Sequence, residues 1–183
     1  ELSKNIKIGN IYNAMNIQNK SLELCLLLSL PACFGLVIAS EEIINALFGY
    51  GSFLKEDVVS TASALKYFGF GVPAFALIKV LSSFLFARDD TKVPFYISVF
   101  IVLLNIIVSV LYFKEVGFVI IPIATSISTW VGVLIYLIVL IKFKYINFEL
   151  TFFVKLLKIV ISLAIMTLAL YCSINFFEDK LIY

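Results

Sequence analysis

A lysine in the middle of an apolar stretch is the residue best placed to form a functional site. The stretch from Gly71 to Pro94 reads GVPAFALIKVLSSFLFARDDTKVP, and Lys79 precedes Arg88 by nine residues, about 13 Å along a helix. That distance is close to half of a hydrocarbon core about 30 Å thick. Because a cation at mid-membrane is unfavourable by about 2.5 to 3.5 kcal/mol, we expect Lys79 to face a bundle interior, a partner or a watery cavity.

Two further polar groups follow in the chain. Arg88, Asp89, Asp90 and Lys92 form a charged turn, which is either an interfacial anchor and turn former or a ligand site. Asn105 lies near the centre of the next apolar run. It either hydrogen-bonds to a neighbouring helix, for about 0.6 to 2 kcal/mol, or lines a cavity.

Several classes of chemistry find no support in the sequence. The chain has no histidine, so neither a zinc site nor a Ser-His-Asp or Cys-His catalytic set can be assembled from it. Its three cysteines match no metal or redox spacing, and no GxxxxGK[ST] loop is present to bind ATP. An enzyme such as a polyprenyl-phosphate transferase would need clustered acidic residues, and Asp89 with Asp90 is the only aspartate pair. We therefore expect no catalytic residues, no metal and no cofactor.

Composition predicts an integral membrane protein. The chain has 183 residues, of which 62% are hydrophobic and 14% charged, against about 45 to 50% and about 25% in soluble domains. We predict an all-α, polytopic transmembrane bundle of about five spans. Their approximate bounds are 23–40, 58–88, 94–113, 117–141 and 152–176.

Helix-perturbing residues fall inside the first two predicted spans. Pro31 lies in the middle of the first, where we expect a kink and a further hinge position. Gly71 and Pro73 lie in the second and would act as a hinge in a transporter or as a packing notch in a rigid bundle. Residues 1–20 suggest a short amphipathic helix at the membrane surface, or an ordinary cytoplasmic helix. Residues 176–183 suggest a loop.

The sequence also predicts where spans end and how one of them packs. Glu41 and Glu42 end the first span, and a turn from Lys114 to Gly117 leads to the fourth. In the fourth span the small residues Ala124, Ser128 and Gly132 recur every four residues, which predicts a face for close helix packing.

The distribution of basic residues predicts the orientation. Nine Lys and Arg residues fall on the N-terminal side of the five spans and four on the opposite side. The positive-inside rule then makes the N-terminus cytoplasmic and the C-terminus external. Because the sequence opens with Glu1 rather than Met, we expect it to be a piece of a longer protein.

Three motifs, in order and at kept spacing, resemble one family. They are LFGYGSF (Leu47 to Phe53), the Gly71 to Pro94 stretch, and GFVIIPIATSISTW (Gly117 to Trp130). They resemble the C-terminal half of the MurJ, or MviN-type, lipid II flippases. The family patterns are approximately LFxxGxF, GLPAFxLxKVLxxxFYARxDTxTP and GLALATSLxxW. Glu42 stands where the family often has Pro, and Gly132 where it often has Asn.

The resemblance implies much that composition alone does not. The family fold has fourteen transmembrane helices in two lobes, and these five spans would be the ninth to thirteenth, in a C-terminal lobe. The implied activity is alternating-access transport of lipid II, the undecaprenyl-pyrophosphate-linked peptidoglycan precursor, between leaflets of the bacterial cytoplasmic (inner) membrane. The implied partners are lipid II and membrane lipids, with no nucleic acid, and the oligomeric state stays open.

Alternatives remain at the level of function and of site. A polysaccharide-repeat flippase or another exporter of the same superfamily is the second candidate, and a structural membrane scaffold is a third. Lys79 would serve either as a fixed cation in a cavity that accepts a pyrophosphate or as a structural partner of a carboxylate or carbonyl on another helix.

Overall fold

The chain forms seven α-helices over the residues that its computed structural model describes, which are 2–148 and 150–181. No strand occurs within those residues. A single 3-10 turn, Gly117–Val119, joins α5 to α6. The helices are α1 (Leu2–Lys7), α2 (Ile11–Ile38), α3 (Ser40–Phe48), α4 (Lys55–Phe86), α5 (Lys92–Val116), α6 (Ile120–Lys142) and α7 (Leu150–Leu181).

Five of the described helices, α2 and α4 to α7, have 23 to 32 residues. At a helical rise of about 1.5 Å per residue, each exceeds the roughly 30 Å of a hydrocarbon core. Four described segments are long and apolar enough to cross a membrane, and one of them, Lys92–Lys142, contains both α5 and α6. Gly117, with φ +72°, divides that segment into two helices. The predicted all-α membrane bundle is confirmed.

Local signals explain where the helices begin. Asn10 caps α2, because its side chain accepts a hydrogen bond from the Asn13 amide at 3.1 Å. At the start of α4, the Asp57 carboxylate accepts from the Leu54 amide at 3.0 Å. Asp90 does the same for α5 through the Val93 amide at 3.2 Å. The carboxylates also lie where the partial positive charge of a helix N-terminus favours them.

Cross-helix contacts give the direction of each helix. Tyr136 of α6 contacts Pro94 of α5, and Asn105 of α5 contacts Thr125 of α6, so these two helices are antiparallel. α4 and α6 run parallel, because Tyr67 meets Ser126 and Arg88 meets Tyr145. The Arg88 end of the bundle therefore holds the starts of α2, α5 and α7 and the ends of α4 and α6. The opposite end is the Gly117 end.

The core lies mainly between α4 and α6. Ala74, Leu81 and Leu85 of α4 are fully buried, as are Ala124 and Leu140 of α6. The small residues predicted to share a packing face, Ala124, Ser128 and Gly132, are all buried. A Cβ at Gly132 would overlap the Ile101 side chain of α5, so α6 also approaches α5 closely.

The Gly71 region of α4 is a close contact with α6. A Cβ at Gly71 would lie 2.7 Å from Ser126 Oγ. Ser126 in turn donates to the Tyr67 carbonyl at 2.6 Å, and Trp130 donates to the Phe70 carbonyl at 3.0 Å. α4 continues without interruption through Pro73, and these two donors bind its backbone just before that residue. In this conformation the segment is a packing notch.

Gly71→Ala is expected to lower the stability of the bundle by about 1 to 3 kcal/mol, the range for overpacking a tight contact. Ser126 cannot move away freely, because its hydroxyl is bonded to the Tyr67 carbonyl. The measurement is the thermal unfolding midpoint of the full-length protein in detergent.

Gly35→Ala is the matched control for that change. Gly35 also lies inside a long helix, but a Cβ there meets nothing within 4 Å. Alanine should therefore be neutral or raise stability by up to about 1 kcal/mol through helix propensity. Equal loss of stability in both variants would contradict the close-packing interpretation of Gly71.

The helix bounds differ from the predicted elements in three places. Residues 2–20 form a short α1 and the first turns of α2, and the burial of Ala14 and Gln18 agrees with the second alternative, a helix packed on its neighbours, rather than with a helix on the membrane surface. Glu41 and Glu42 do not end the first long helix, because α2 stops at Ile38 and α3 begins at Ser40. The C-terminal loop prediction is wrong up to Leu181, where α7 ends; Ile182 and Tyr183 lie outside the described residues.

Candidate functional site: the Lys79 face and the Arg88 junction

Lys79 is exposed on a face of α4 that points away from the other helices described. Three phenylalanines share that face. Phe75 lies four residues before Lys79, Phe68 seven residues before Phe75, and Phe86 seven residues after Lys79. These phenylalanines are 42%, 37% and 50% exposed. We call these four residues the Lys79 face. It presents one cation among exposed aromatic side chains, seven residues before α4 ends, with the exposed Ser83 one turn further on.

Lys79 has no ionic partner among the residues described. No carboxylate oxygen of residues 2–148 or 150–176 forms an ion pair with its amine, and within those residues no hydrogen bond joins the amine to another helix. Its backbone carbonyl accepts from the Ser82 hydroxyl at 3.1 Å, a contact local to α4. Within the described chain, Lys79 therefore does not serve as the interhelical tie considered above.

Arg88, by contrast, contacts several other residues of the bundle. Its guanidinium donates to the Phe84 carbonyl at 2.7 Å and to the Tyr145 carbonyl at 3.0 Å. The same group lies over the Tyr145 ring, 4.3 Å from the centroid, in a cation–π contact. Burial lowers the pKa of Arg88 from its ordinary value, and the interaction with Tyr145 partly offsets this. Arginine stays charged despite such a shift.

Two buried amides of α2 complete this cluster. The Gln18 side chain is fully buried, and in the orientation that satisfies its neighbours its oxygen accepts from Arg88 at 3.0 Å. Its nitrogen then donates to the Tyr145 carbonyl at 2.9 Å. Asn19 donates to the Asn147 carbonyl at 3.1 Å. We call Gln18, Asn19, Arg88, Tyr145 and Asn147 the Arg88 junction, which ties α2, α4 and the α6–α7 loop together.

The sequence-based prediction missed every member of the Arg88 junction except Arg88. One signal was available for Gln18, since Ala14, Gln18 and Leu22 recur every four residues and are all buried. A glutamine on the buried face of a helix needs a partner, because an unpaired buried amide is costly. Nothing in the sequence indicated that Tyr145 would contact both Gln18 and Arg88.

The charged turn after α4 is a Schellman-type helix end. Asp89 has φ +60°, and the Asp90 amide donates to the Leu85 carbonyl at 3.1 Å. Asp90 also caps α5, whereas Lys92, the first residue of that helix, is exposed. The exposed Asp89 lies 4.0 Å from Lys7, a surface pair of little energetic weight. This geometry is that of a turn former.

α6 ends in the same way. Lys144 has φ +55°, and the Tyr145 amide donates to the Leu140 carbonyl at 2.8 Å. Because α4 and α6 are parallel, the two matching helix ends lie side by side. That arrangement brings Tyr145 against Arg88.

The remaining predicted site residues lie at helix contacts or inside helices. Asn105 is half-buried and donates to Thr125 Oγ1 of α6 at 2.8 Å. Gly71 and Pro73 are buried in α4, and Pro31 is half-buried in α2, which continues past it. The structure does not bring Lys79 together with Asn105 or with the charged turn.

Comparisons with known proteins agree with one another. The family described as "Lipid II flippase MurJ" matches residues 1–183. A probable lipid II flippase MurJ of Rhizobium meliloti is 33% identical over 175 residues, covering 96% of this chain and 33% of its own length. One from Rickettsia prowazekii is 38% identical over 130 residues, covering 71% of this chain and 26% of its own length.

A solved structure shows the same fold. A chain described as "Lipid II flippase MurJ, inward closed conformation" superposes with a TM-score of 0.71 at 24% identity, covering all of this chain and 42% of the solved one. This chain thus spans about a quarter to a third of the two curated relatives. The profile match over its whole length shows that the chain belongs to the MurJ family.

Proposed function

We propose that this chain is part of a transporter that moves lipid II from the inner to the outer leaflet of the bacterial cytoplasmic membrane by alternating access. The observation that carries the proposal is the family match over residues 1–183. The relatives' names include that substrate, and the four described apolar segments, which hold five long helices, suit a multi-pass protein. On this proposal the chain has no catalytic residue and changes the leaflet of its substrate without breaking a bond.

Lys79 is the residue of this chain that we propose for contact with the substrate. Lipid II carries a pyrophosphate, whose charge must be compensated wherever it leaves water. A fixed cation attracts such a group more strongly in a low-dielectric surrounding than in water. The exposed aromatic side chains beside Lys79 exclude water without competing for the anion. The other lobe implied by the family would face this surface and complete the cavity.

Alternating access also requires a place where the lobe deforms. Gly71, Pro73 and Pro31 remain the proposed hinge residues. Bending α4 near Pro73 would break or lengthen the hydrogen bonds from Ser126 and Trp130 to its backbone. We therefore propose that α4 and α6 move as one unit unless both bonds are released.

The proposed orientation makes the Arg88 end cytoplasmic. Lys92, Lys142, Lys144, Lys155 and Lys158 all lie toward that end, as the positive-inside rule requires. This would put the N-terminus of the chain and the charged turn on the cytoplasmic side of the inner membrane. Impermeant thiol labelling from outside should modify Ser52→Cys and spare Ser3→Cys.

Complementation tests the proposed function. Bacteria depleted of their own lipid II flippase are supplied with the full-length parent of this chain, and outer-leaflet lipid II and growth are measured. The proposal predicts that both are restored. A parent that reaches the membrane but leaves lipid II inside would instead favour the second candidate, a flippase for another polyprenyl-linked polysaccharide repeat.

A further inference from the structure

A groove between α2 and α7 at the Arg88 end is separate from the Lys79 face and the Arg88 junction. Its volume is about 420 Å³, within the range of about 300 to 1,000 Å³ usual for ligand pockets. Its apolar lining comes from Leu24 and Leu27 of α2 and Ile159 of α7. Leu24 and Leu27 are 59% and 47% exposed, so nothing in the described chain covers them.

The mouth of this groove is basic. Lys20, Lys155 and Lys158 line it together with Glu23, leaving a net charge of +2. Glu23 holds Lys155 through contacts of 2.9 and 3.0 Å, so that amine is already neutralised. Lys20 and Lys158 form no ion pair with any residue that the structure describes. Two cations are therefore available at the mouth for an anionic group.

Along the groove, basic residues at the mouth are followed by apolar residues deeper in the membrane, which matches the charged headgroup and the acyl chains of a phospholipid. Leu24 and Leu27 follow Lys20 by four and seven residues, about 6 and 10 Å deeper along α2. Ile159 follows Lys155 by one turn on α7, which enters the membrane from the same end. A phosphate at the lysines would thus direct an acyl chain onto the leucines.

We propose that the α2–α7 groove binds one anionic phospholipid of the surrounding leaflet, with its phosphate on Lys20 and Lys158. The charge of the mouth selects an anionic headgroup over a zwitterionic one. The bound lipid fills the space between α2 and α7, which otherwise meet near the Arg88 end through the Glu23–Lys155 pair. The site is independent of lipid II transport.

Native mass spectrometry of the full-length protein tests this site. The detergent-solubilised protein is titrated with phosphatidylglycerol or phosphatidylcholine, and retained lipid is counted. Lys20→Gln with Lys158→Gln should weaken phosphatidylglycerol binding about thirtyfold, which corresponds to about 2 kcal/mol for two lysines. Lys142→Gln with Lys144→Gln removes the same charge at the same end but outside the groove, and should change binding less than threefold.

A gain-of-binding variant makes the test sharper. Glu23→Gln frees the Lys155 amine, so phosphatidylglycerol should bind about fivefold more tightly, equivalent to about 1 kcal/mol. Circular dichroism and the unfolding midpoint check that each variant is folded. This variant is expected to gain affinity, so misfolding cannot mimic its result.

Three results would overturn the proposal. The first is equal loss of binding in the two double lysine variants, and the second is equal retention of phosphatidylglycerol and phosphatidylcholine. The third is displacement of the bound phospholipid by one equivalent of lipid II, which would assign the groove to the substrate. Complementation by the parent protein is scored separately, so failure of the transport proposal would not resemble failure of this one.

Discussion

Lys79→Gln is expected to lower the proposed lipid II transport by about 10- to 100-fold while the protein keeps its normal membrane level. The substitution replaces the charged amine with a neutral amide on a side chain of similar size, and a charge-assisted hydrogen bond contributes about 1.5 to 3 kcal/mol. Normal levels are expected because Lys79 is exposed and forms no tie to another described helix. The measurement is outer-leaflet lipid II in flippase-depleted cells, alongside immunoblots of the membrane fraction.

Lys66→Gln is the control for this prediction. Lys66 is an exposed lysine on the same helix, 13 residues earlier and close to the Gly117 end. It can extend to the interface, so its loss should leave transport unchanged. Reduced membrane levels of Lys79→Gln, with normal transport per molecule, would instead show that Lys79 stabilises the lobe against a part of the protein beyond this chain.

Arg88→Ala is expected to lower stability by about 2 to 4 kcal/mol. The change removes the guanidinium that donates to the Phe84 and Tyr145 carbonyls. It also leaves the side-chain oxygen of the fully buried Gln18 without its hydrogen-bond donor. Each buried polar group left unpaired costs about 1 to 3 kcal/mol, and lost cation–π contact adds to this. The measurement is the unfolding midpoint of the full-length protein in detergent, together with its level in membranes.

Two further variants separate the Arg88 junction from general loss of charge. Lys92→Ala removes an exposed cation of the same turn and should cost less than about 0.5 kcal/mol. Gln18→Leu should cost about 1 kcal/mol less in the Arg88→Ala background than alone, because the Gln18 oxygen has already lost its donor there, while the Tyr145 carbonyl loses the Gln18 nitrogen in both backgrounds. Additive losses in the double variant would contradict the proposed coupling between Gln18 and Arg88.

The bundle itself could be predicted because the bilayer imposes a simple rule. Apolar runs of about 20 residues must be helical, since no water is available there to satisfy the backbone. The glycine at 117 could likewise be assigned to the turn between two helices. The packing face of Ala124, Ser128 and Gly132 followed from its four-residue spacing, and all three are buried.

The Arg88 junction could not be predicted, because it depends on which helix ends meet in space. Gln18 and Tyr145 are 127 residues apart in the chain, and their contact arises from the antiparallel pairing of α2 with α4 and the parallel pairing of α4 with α6. Two helices are longer than the predicted spans, because polar residues continue them beyond the apolar stretch. α2 begins at Ile11 rather than near residue 23, and α7 continues past Phe176. Hydropathy alone cannot locate such ends.

Photocrosslinking tests most directly whether the Lys79 face contacts the transported lipid. A photoreactive phenylalanine analogue is placed at Phe75, four residues before Lys79, and at Leu134 as the control. Leu134 is 57% exposed and lies at a similar depth, because α6 runs parallel to α4, but it borders a different groove. With radiolabelled lipid II in membranes containing the full-length protein, we expect an adduct at Phe75 and none at Leu134. An adduct at Leu134 alone, or at neither position in an actively transporting protein, would contradict it.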